Sequence, residues 1–316
     1  MCSSDLGGVK AYSVRWAIAG HGVLLHPEGT ATWQGERIAT LLPGLADMAW
    51  EAATTLAAQG SSRPVHMVPL VWRLVFTRNA HAPLARDLAD LARRVGIAVP
   101  SGDLAARFAA LMPSLLAHQC QRLGLEAPTA RTGRDYFPAQ AAVIQQLRTT
   151  LAERYGALDE DLTRAQFQLR KAMRERMTHD PDGVRADRAR LFELQRLANF
   201  DPALYDRERL DQERIAEVLK RMRGSLLTTR PGDVLRNTLP IAVAPRRVHV
   251  RVAEPIAVHT VRASCAPGDE TQARAALLAT HHERLQRTLD ALGDELADET
   301  RRHAMPNALW SGGATR

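Results

Sequence analysis

Length, composition and charge set the first limits on this chain of 316 residues, of which 45% are apolar and whose formal net charge is +7. A chain of this length can bury a substantial core and is expected to form one or two domains. The longest apolar run, residues 65–76, contains Arg73 and falls short of the roughly 20 residues that cross a bilayer. The sequence therefore offers no candidate for a membrane-spanning helix.

The basic charge predicts affinity for anionic partners. Lipid headgroups, phosphorylated substrates and nucleic acid would all be attracted, although arginine-rich codon usage accounts for most of the excess. Nucleic-acid modules usually interleave arginines with aromatic residues, and aromatic residues make up only 5% of this chain. We therefore expect no nucleic-acid partner.

The three cysteines, Cys2, Cys120 and Cys265, lack the spacing of a metal site or a redox motif. Free thiols are typical of a reducing compartment. The cysteine pattern favours a protein that is cytoplasmic or peripheral on the cytoplasmic face of a membrane. No metal ion or other cofactor is expected.

The first predicted element is a buried strand at residues 22–26, which ends at Pro27 because proline has no N–H to donate. Glu28, Gly29 and Thr30 follow on a tight turn, which the conformational freedom of glycine allows. Ligands of α/β proteins bind at the carboxyl ends of the strands, so this turn is a candidate binding site. The alternative is a turn that only connects two elements.

A polar loop with Gly35 leads to a predicted helix, in which apolar residues recur at helical spacing over residues 45–56. Gly60 is expected to end this helix. Residues 65–76 are β-branched and apolar, which predicts a second buried strand, bent or ended near Pro69. Strand, helix and strand in this order form a βαβ unit with parallel strands, and the predicted fold class is α/β.

The middle of the chain, residues 80–235, changes to a helical composition. Asp180-Pro-Asp-Gly183 is expected to form a turn, and Gly224 is expected to end the last helix of this block. Apolar residues at helical spacing predict six helices, near residues 84–95, 103–120, 144–155, 162–177, 191–198 and 215–222.

Residues 246–252 alternate apolar and polar side chains, which predicts a half-exposed strand. From Thr271 onwards, apolar residues at mostly helical spacing predict a long C-terminal helix. His281 and His282 are adjacent on this helix. We expect a solvated pair rather than a metal site, because no carboxylate–histidine cluster accompanies them.

Four short blocks in the first part of the chain resemble the glycerolipid acyltransferase family, which includes the lysophosphatidic acid acyltransferases. This sequence has Pro-Glu-Gly-Thr at 27–30, Gly35, Leu-Pro-Gly at 42–44 and Met-Val-Pro-Leu at 67–70, in the family's order and at similar spacing. Four ordered blocks over about fifty residues are more specific than one motif. Far downstream, Ala-Glu-Pro-Ile at 253–256 is similar to the family's Gly-Glu-Pro-Ile turn, with alanine in place of the usual glycine.

The resemblance implies transfer of a fatty acyl group from an acyl-CoA or acyl carrier protein thioester to a hydroxyl of a lysophospholipid or glycerol phosphate. Glu28, Gly29 and Thr30 match the block that binds the acceptor's glycerol phosphate, and turn N–H groups and a threonine hydroxyl can donate to phosphate. The family's next arginine is replaced here by Ala31. Arg37 or a residue outside this sequence would then bind the phosphate, unless the acceptor is not a simple glycerol phosphate.

The family's catalytic motif is a histidine with an aspartate five positions later, and none of the eleven histidines here has an aspartate at that spacing. In the family this histidine takes the proton of the acceptor hydroxyl and the aspartate orients its ring. Residues 1–6 resemble a translated sequencing-adapter end, although an ordinary polar N-terminus is the alternative. We expect an artefact there, a native chain that begins further upstream with the motif, and a fragment that is inactive or nearly so.

The expected organisation is a partial acyltransferase α/β core at residues 7–79 and 236–265, with a large α-helical insertion at 80–235 and a C-terminal helix at 266–316. The strands on either side of the insertion should join one sheet. The alternative function is a non-catalytic module on a degenerate acyltransferase core, whose helical block binds a protein partner or an anionic membrane surface.

Overall fold

The computed structural model describes residues 3–28, 35–130, 132–227, 231–239 and 243–310. The fold is mixed and rich in helix, with small antiparallel sheets, and none of the described helices combines the length and hydropathy of a membrane span. The helices are α1 (Ser3–Ile18), α2 (Gly44–Ala58), α3 (His81–Val95), α4 (Leu104–Leu123), α5 (Tyr136–Tyr155), α6 (Leu162–Arg176), α7 (Pro181–Ala198), α8 (Pro202–Tyr205), α9 (Gln212–Leu226), α10 (Pro231–Thr238), α11 (Val258–Ala263), α12 (Glu270–Glu295) and α13 (Ala297–Arg301). The strands are β1 (His66–Met67), β2 (Leu70–Phe76), β3 (Arg209–Leu210), β4 (Arg246–Val252), β5 (Ile256–Ala257) and β6 (Met305–Pro306).

Most of the predicted helices are confirmed. The helix expected at 45–56 is α2, the six of the middle block are α3 to α7 and α9, and the long helix near the end is α12. Local signals explain where they start and stop. The Asp103 carboxylate accepts a hydrogen bond from the N–H of Ala106 and caps α4, and Gly124 ends that helix at a φ of 65°.

Two expectations about helix ends are wrong. Residues 180–183 begin α7 instead of forming a turn, because Asp180 accepts a hydrogen bond from the N–H of Gly183 and Pro181 fits the first helical turn. Gly224 lies inside α9, which continues to Leu226. Burial of most of α9, on all sides of the helix, outweighs the modest cost of a glycine in a helix.

The strand predicted at 65–76 is confirmed as β1 and β2, interrupted at Pro69. The expectation that it is buried is wrong for one face of β2, where Trp72 and Leu74 are 44% and 38% exposed. The late strand is confirmed as β4. β1 pairs antiparallel with β5, and β2 pairs with β4. The Ala253 N–H donates to the Pro69 carbonyl and the Thr77 N–H donates to the Pro245 carbonyl, so β2 and β4 are antiparallel too. The strands that flank the helical block therefore meet in one sheet, as expected.

The parallel βαβ unit is not formed by the described residues, and the strand expected at 22–26 is wrong. Residues 21–26 have no regular structure, and Leu24 is 77% exposed. A strand needs a neighbour to satisfy its backbone N–H and C=O groups, and none of the described strands, β2 included, pairs with residues 21–26. Residues 21–26 are therefore an irregular connection between α1 and the turn at Pro27.

The chain divides into two compact units. Unit 1 contains residues 1–73 and 248–296. Its apolar cluster joins Trp50 of α2, Met67 of β1 and Leu277 of α12 with buried residues of β5 and α11. The candidate binding turn belongs to this unit.

Unit 2 contains residues 74–247 and 297–316 and is built mainly of helices around one large apolar cluster. Its buried charges are paired across helices. Asp187 of α7 is fully buried, accepts a hydrogen bond from the Tyr155 hydroxyl at 2.7 Å and contacts Arg154 at 2.6 Å and Arg190 at 3.0 Å. This network ties α5 to α7.

Candidate functional site

We define the candidate loop as the described residues 27–28 and 35–42, which flank Gly29 and Thr30 of the predicted acceptor-binding turn. The neck of this loop is closed by two hydrogen bonds, from the Leu42 N–H to the Pro27 carbonyl at 2.7 Å and from the Ala39 N–H to Glu28 Oε2 at 2.9 Å. Glu28 is half-buried. Its carboxylate therefore fixes the geometry of the loop at the point where the resemblance assigns it to the acceptor.

The second arm of the loop lies on α12. The side-chain amide of Gln286 binds the loop in both directions, since Oε1 accepts from the Ile38 N–H at 2.8 Å and Nε2 donates to the Glu36 carbonyl at 3.1 Å. One turn earlier, His282 Nε2 lies 3.2 Å from the Ile38 carbonyl. The backbone of residues 36–38 is thus held by side chains that project from a single helix.

A charged pair holds the same arm from the sheet. Glu36 forms an ion pair with Arg73 of β2 at 3.0 Å, and the Arg73 side chain is only 12% exposed. A partly buried pair of this kind is screened less by salt than a surface pair. Arg37, the next residue, is exposed on the loop.

The structure places the predicted site residues unequally. Glu28 and Arg37 lie on the two arms of one loop, because Glu28 binds the N–H of Ala39, two residues beyond Arg37. Gly29 and Thr30 lie outside the described residues. A carboxylate and an exposed arginine on one anchored loop can bind a polyol hydroxyl and a phosphate, respectively.

The two distant blocks of the resemblance are in direct contact. Met67 lies opposite Ile256 in the pairing of β1 with β5, and the Ala253 N–H donates to the Pro69 carbonyl at 2.9 Å. Both Met67 and Ile256 are buried in the apolar cluster of unit 1. Segments that are remote in sequence therefore form one small sheet within unit 1, which also contains the candidate loop.

Helix α12 also holds the late turn. Arg284 donates from Nη1 to the carbonyls of Glu254 at 2.7 Å and Pro255 at 3.0 Å. The same helix thus binds the candidate loop through His282 and Gln286 and the Glu-Pro turn through Arg284. It is the scaffold on which both segments are positioned.

The adjacent histidines are not a solvated pair, so that expectation is wrong. His281 is 5% exposed and belongs to the stripe of α12 that contains Leu277 and Leu285. Burial, and to a smaller extent the neighbouring His282, lower the pKa of His281 to about 4. His281 is therefore a neutral core residue at neutral pH, while His282 contacts the loop.

No group of three or more histidine, cysteine, aspartate or glutamate side chains with metal-binding geometry occurs within the described part of the chain. Sequence reasoning missed the three residues that anchor the loop, Arg73, His282 and Gln286. The only available signal was the i,i+4 spacing of His282 and Gln286 on one helix face. The backbone groups that they bind, in residues 36–38, lie about 250 positions earlier in the sequence. A helical pattern cannot reveal such a distant contact.

Comparison of the chain with protein-family models, with curated proteins and with solved structures finds no match in any of the three.

Proposed function

We propose that this chain belongs to an acyltransferase that moves a fatty acyl group from an acyl-CoA or acyl carrier protein thioester to a hydroxyl of a glycerol phosphate or lysophospholipid. One observation carries the proposal. The blocks at 67–70 and 253–256, which resemble one family at opposite ends of the sequence, pair with each other through Met67 and Ile256. Two unrelated chance matches would have no reason to meet.

The reaction joins the acceptor oxygen to the thioester carbonyl carbon. A histidine base takes the hydroxyl proton, the C–S bond breaks, and the leaving thiolate takes up that proton. None of the histidines in these 316 residues has the family's aspartate partner. The proposal therefore assigns acceptor binding, and not proton transfer, to the residues named here.

Acceptor binding is proposed for the loop that begins at Pro27. Glu28 would accept a hydrogen bond from a glycerol hydroxyl, Gly29 and Thr30 would donate to phosphate, and Arg37 would supply the charge that the family places directly after threonine. Anchoring of the loop on α12 supports this role, because a site held rigidly loses less entropy when its ligand binds. In the cell the protein would be cytoplasmic or peripheral on the cytoplasmic face of a membrane.

The first test is binding by the chain itself. Calorimetric titration with glycerol 3-phosphate, which needs no membrane, should give a measurable affinity, and Arg37→Ala should weaken it by about tenfold or more. Glu28→Gln keeps an oxygen for the Ala39 N–H and removes the charge, whereas Glu28→Ala removes both. Glu126→Ala, an exposed change in unit 2, is the control. Wild-type affinity in both Glu28 variants would exclude Glu28 from the site.

The second test is turnover. The protein expressed from the complete reading frame of the gene, supplied with acyl-CoA or acyl carrier protein and with glycerol 3-phosphate or lysophosphatidic acid, should release thiol. A histidine and aspartate at the family's spacing should lie in its sequence. A complete protein with neither the motif nor thiol release would favour the non-catalytic module instead.

A further inference from the structure

The surface of α1 carries an exposed apolar stripe, which we define as Val9, Tyr12 and Trp16. These side chains are 56%, 55% and 43% exposed, and their spacing of three and four residues places them on one helix face. Val14, on the opposite face, and Ser13, next to the stripe, are buried. The helix therefore packs on its unit through one side and presents large apolar groups to solvent on the other.

The stripe is ordered by stacking. The rings of Tyr12 and Trp16 lie 5.6 Å apart at 19°, and those of Trp16 and His21 lie 4.1 Å apart at 29°. Beyond His21 in the sequence, Val23 and Leu24 are 36% and 77% exposed. Stacked rings of this kind give an exposed surface that needs little reorganisation to bind.

The charge around the stripe is basic. Helix α1 carries Lys10 and Arg15 and one acidic residue, Asp5 in its first turn, and residues 19–27 add two histidines and no aspartate or glutamate. Glu51 of α2 forms an ion pair with Lys10 at 3.1 Å. The other basic residue of the helix is Arg15, in the last turn of α1. Arg63 adds a second cation at that end, where its Nη1 donates to the Ile18 carbonyl at 2.5 Å. The Trp16 end of the stripe is thus flanked by two exposed arginines.

We propose that the stripe on α1 docks unit 1 on an anionic lipid bilayer, with α1 lying in the plane of the interface. Tyrosine and tryptophan are favoured at that depth because one end of each ring system is apolar and the other polar. Arginines beside an apolar helix face add attraction to anionic headgroups. This inference deepens the proposed function and rests on it for the reason for docking, because a lysophospholipid acceptor resides in a membrane.

The experiment measures sedimentation of the whole chain with vesicles of equal parts phosphatidylglycerol and phosphatidylcholine. The variant Tyr12→Ser/Trp16→Ser removes the stripe. Its matched control is Phe167→Ser/Phe192→Ser, which removes two aromatic side chains of similar exposure, 54% and 53%, from unit 2. Arg15→Gln tests the electrostatic part. Circular dichroism and thermal unfolding establish that each variant is folded.

We expect the wild type to bind these vesicles, to bind pure phosphatidylcholine less well and to be released by high ionic strength. The stripe variant should bind about tenfold more weakly or worse, the control should match the wild type, and Arg15→Gln should lie between them.

Equal binding by the wild type and the stripe variant would overturn the proposal, as would equal losses in the stripe variant and the control. The proposal would also be overturned if the wild type did not bind vesicles but formed a dimer that the stripe variant abolishes, since the partner of the stripe would then be a second copy of this chain. The proposed function is judged separately by titration with glycerol 3-phosphate in the absence of vesicles. Docking can therefore fail while acceptor binding survives, and the reverse.

Discussion

The side-chain amide of Gln286 accepts a hydrogen bond from the backbone N–H of Ile38 at 2.8 Å and donates to the carbonyl two residues earlier. A single residue of α12 therefore satisfies two backbone groups of the candidate loop. Gln286→Ala should leave both groups to water, loosen the loop and weaken binding of glycerol 3-phosphate. Hydrogen exchange at Ile38 should accelerate in the variant.

The control for this prediction is Arg287→Ala, the next residue of the same helix, whose side chain is 69% exposed. It should change neither exchange at Ile38 nor ligand affinity. An unchanged exchange rate in Gln286→Ala would show that the loop is held without this amide.

The buried His281 predicts an acid-sensitive unit 1. Its pKa in the folded protein is about 4, below its usual value, so the unfolded chain binds a proton first as the pH falls. Stability is therefore complete above about pH 6.5 and is lost between about pH 6.5 and pH 4, by up to about 3 kcal/mol. His281→Leu should flatten this part of the pH profile in chemical denaturation.

The control variant for the pH experiment on His281 is Leu285→Ala, which lies on the same buried stripe of α12. It should lower stability by about 2–5 kcal/mol at every pH, because it removes packing and no titrating group. A pH profile of His281→Leu parallel to that of the wild type would contradict the assignment of the acid sensitivity to this side chain.

The buried carboxylate of Asp187 should be important for the stability of unit 2. Asp187→Ala leaves Arg154, Arg190 and the Tyr155 hydroxyl without their shared partner, which should cost about 3 kcal/mol in the free energy of unfolding. Asp182 pairs with Arg185 on the same helix, with side chains 89% and 67% exposed. Asp182→Ala should change the same quantity by less than about 1 kcal/mol.

Gly293 of α12 makes room for Arg73, since a Cβ at this position would lie 2.8 Å from Arg73 Nη1. A glycine inside a helix usually costs about 1 kcal/mol relative to alanine. Gly293→Ala should recover less than that stability, because the guanidinium that pairs with Glu36 must shift to admit the new Cβ. In an Arg73→Met background the same change should stabilise the protein.

The reference for Gly293 is Gly224 of α9, where an added Cβ meets nothing within 4 Å. Gly224→Ala should stabilise by about 0.5–1 kcal/mol in thermal unfolding. If Gly293→Ala and Gly224→Ala change the stability of the otherwise wild-type protein by the same amount, the close approach of Arg73 to Gly293 does not affect stability.

Local patterns in the sequence predicted most of the helices and strands, but few of the contacts between them. The helical spacing within α2 to α7, α9 and α12 and the interruption at Pro69 are properties of neighbouring residues, and they could be predicted. The irregular and exposed course of residues 22–26 could not be predicted, because it depends on whether another strand pairs with them. The apolar residues Val248 and Val250 of β4 are 56% and 46% exposed, and alternation alone does not say which face is covered.

The candidate site illustrates the same limit. Glu28 was predicted from the Pro-Glu-Gly-Thr block, and Arg37 was predicted because Ala31 stands where the resembling family has an arginine. Both residues lie on one loop. The contacts that hold this loop join Ile38 to Gln286 and Glu36 to Arg73. Such pairs leave no periodic trace in a single sequence, because each depends on how distant elements pack.

The chain leaves β2 and returns to β4 at adjoining points, since the Thr77 N–H donates to the carbonyl of Pro245 at 3.1 Å. A short reverse turn between these two residues would convert β2 and β4 into an ordinary hairpin, but it would also remove the partners of β6 and of the buried Met305 and Leu309, which complete unit 2 from the C-terminal end. The junction between β2 and β4 is thus a position at which evolution or protein engineering can exchange one helical insertion for another.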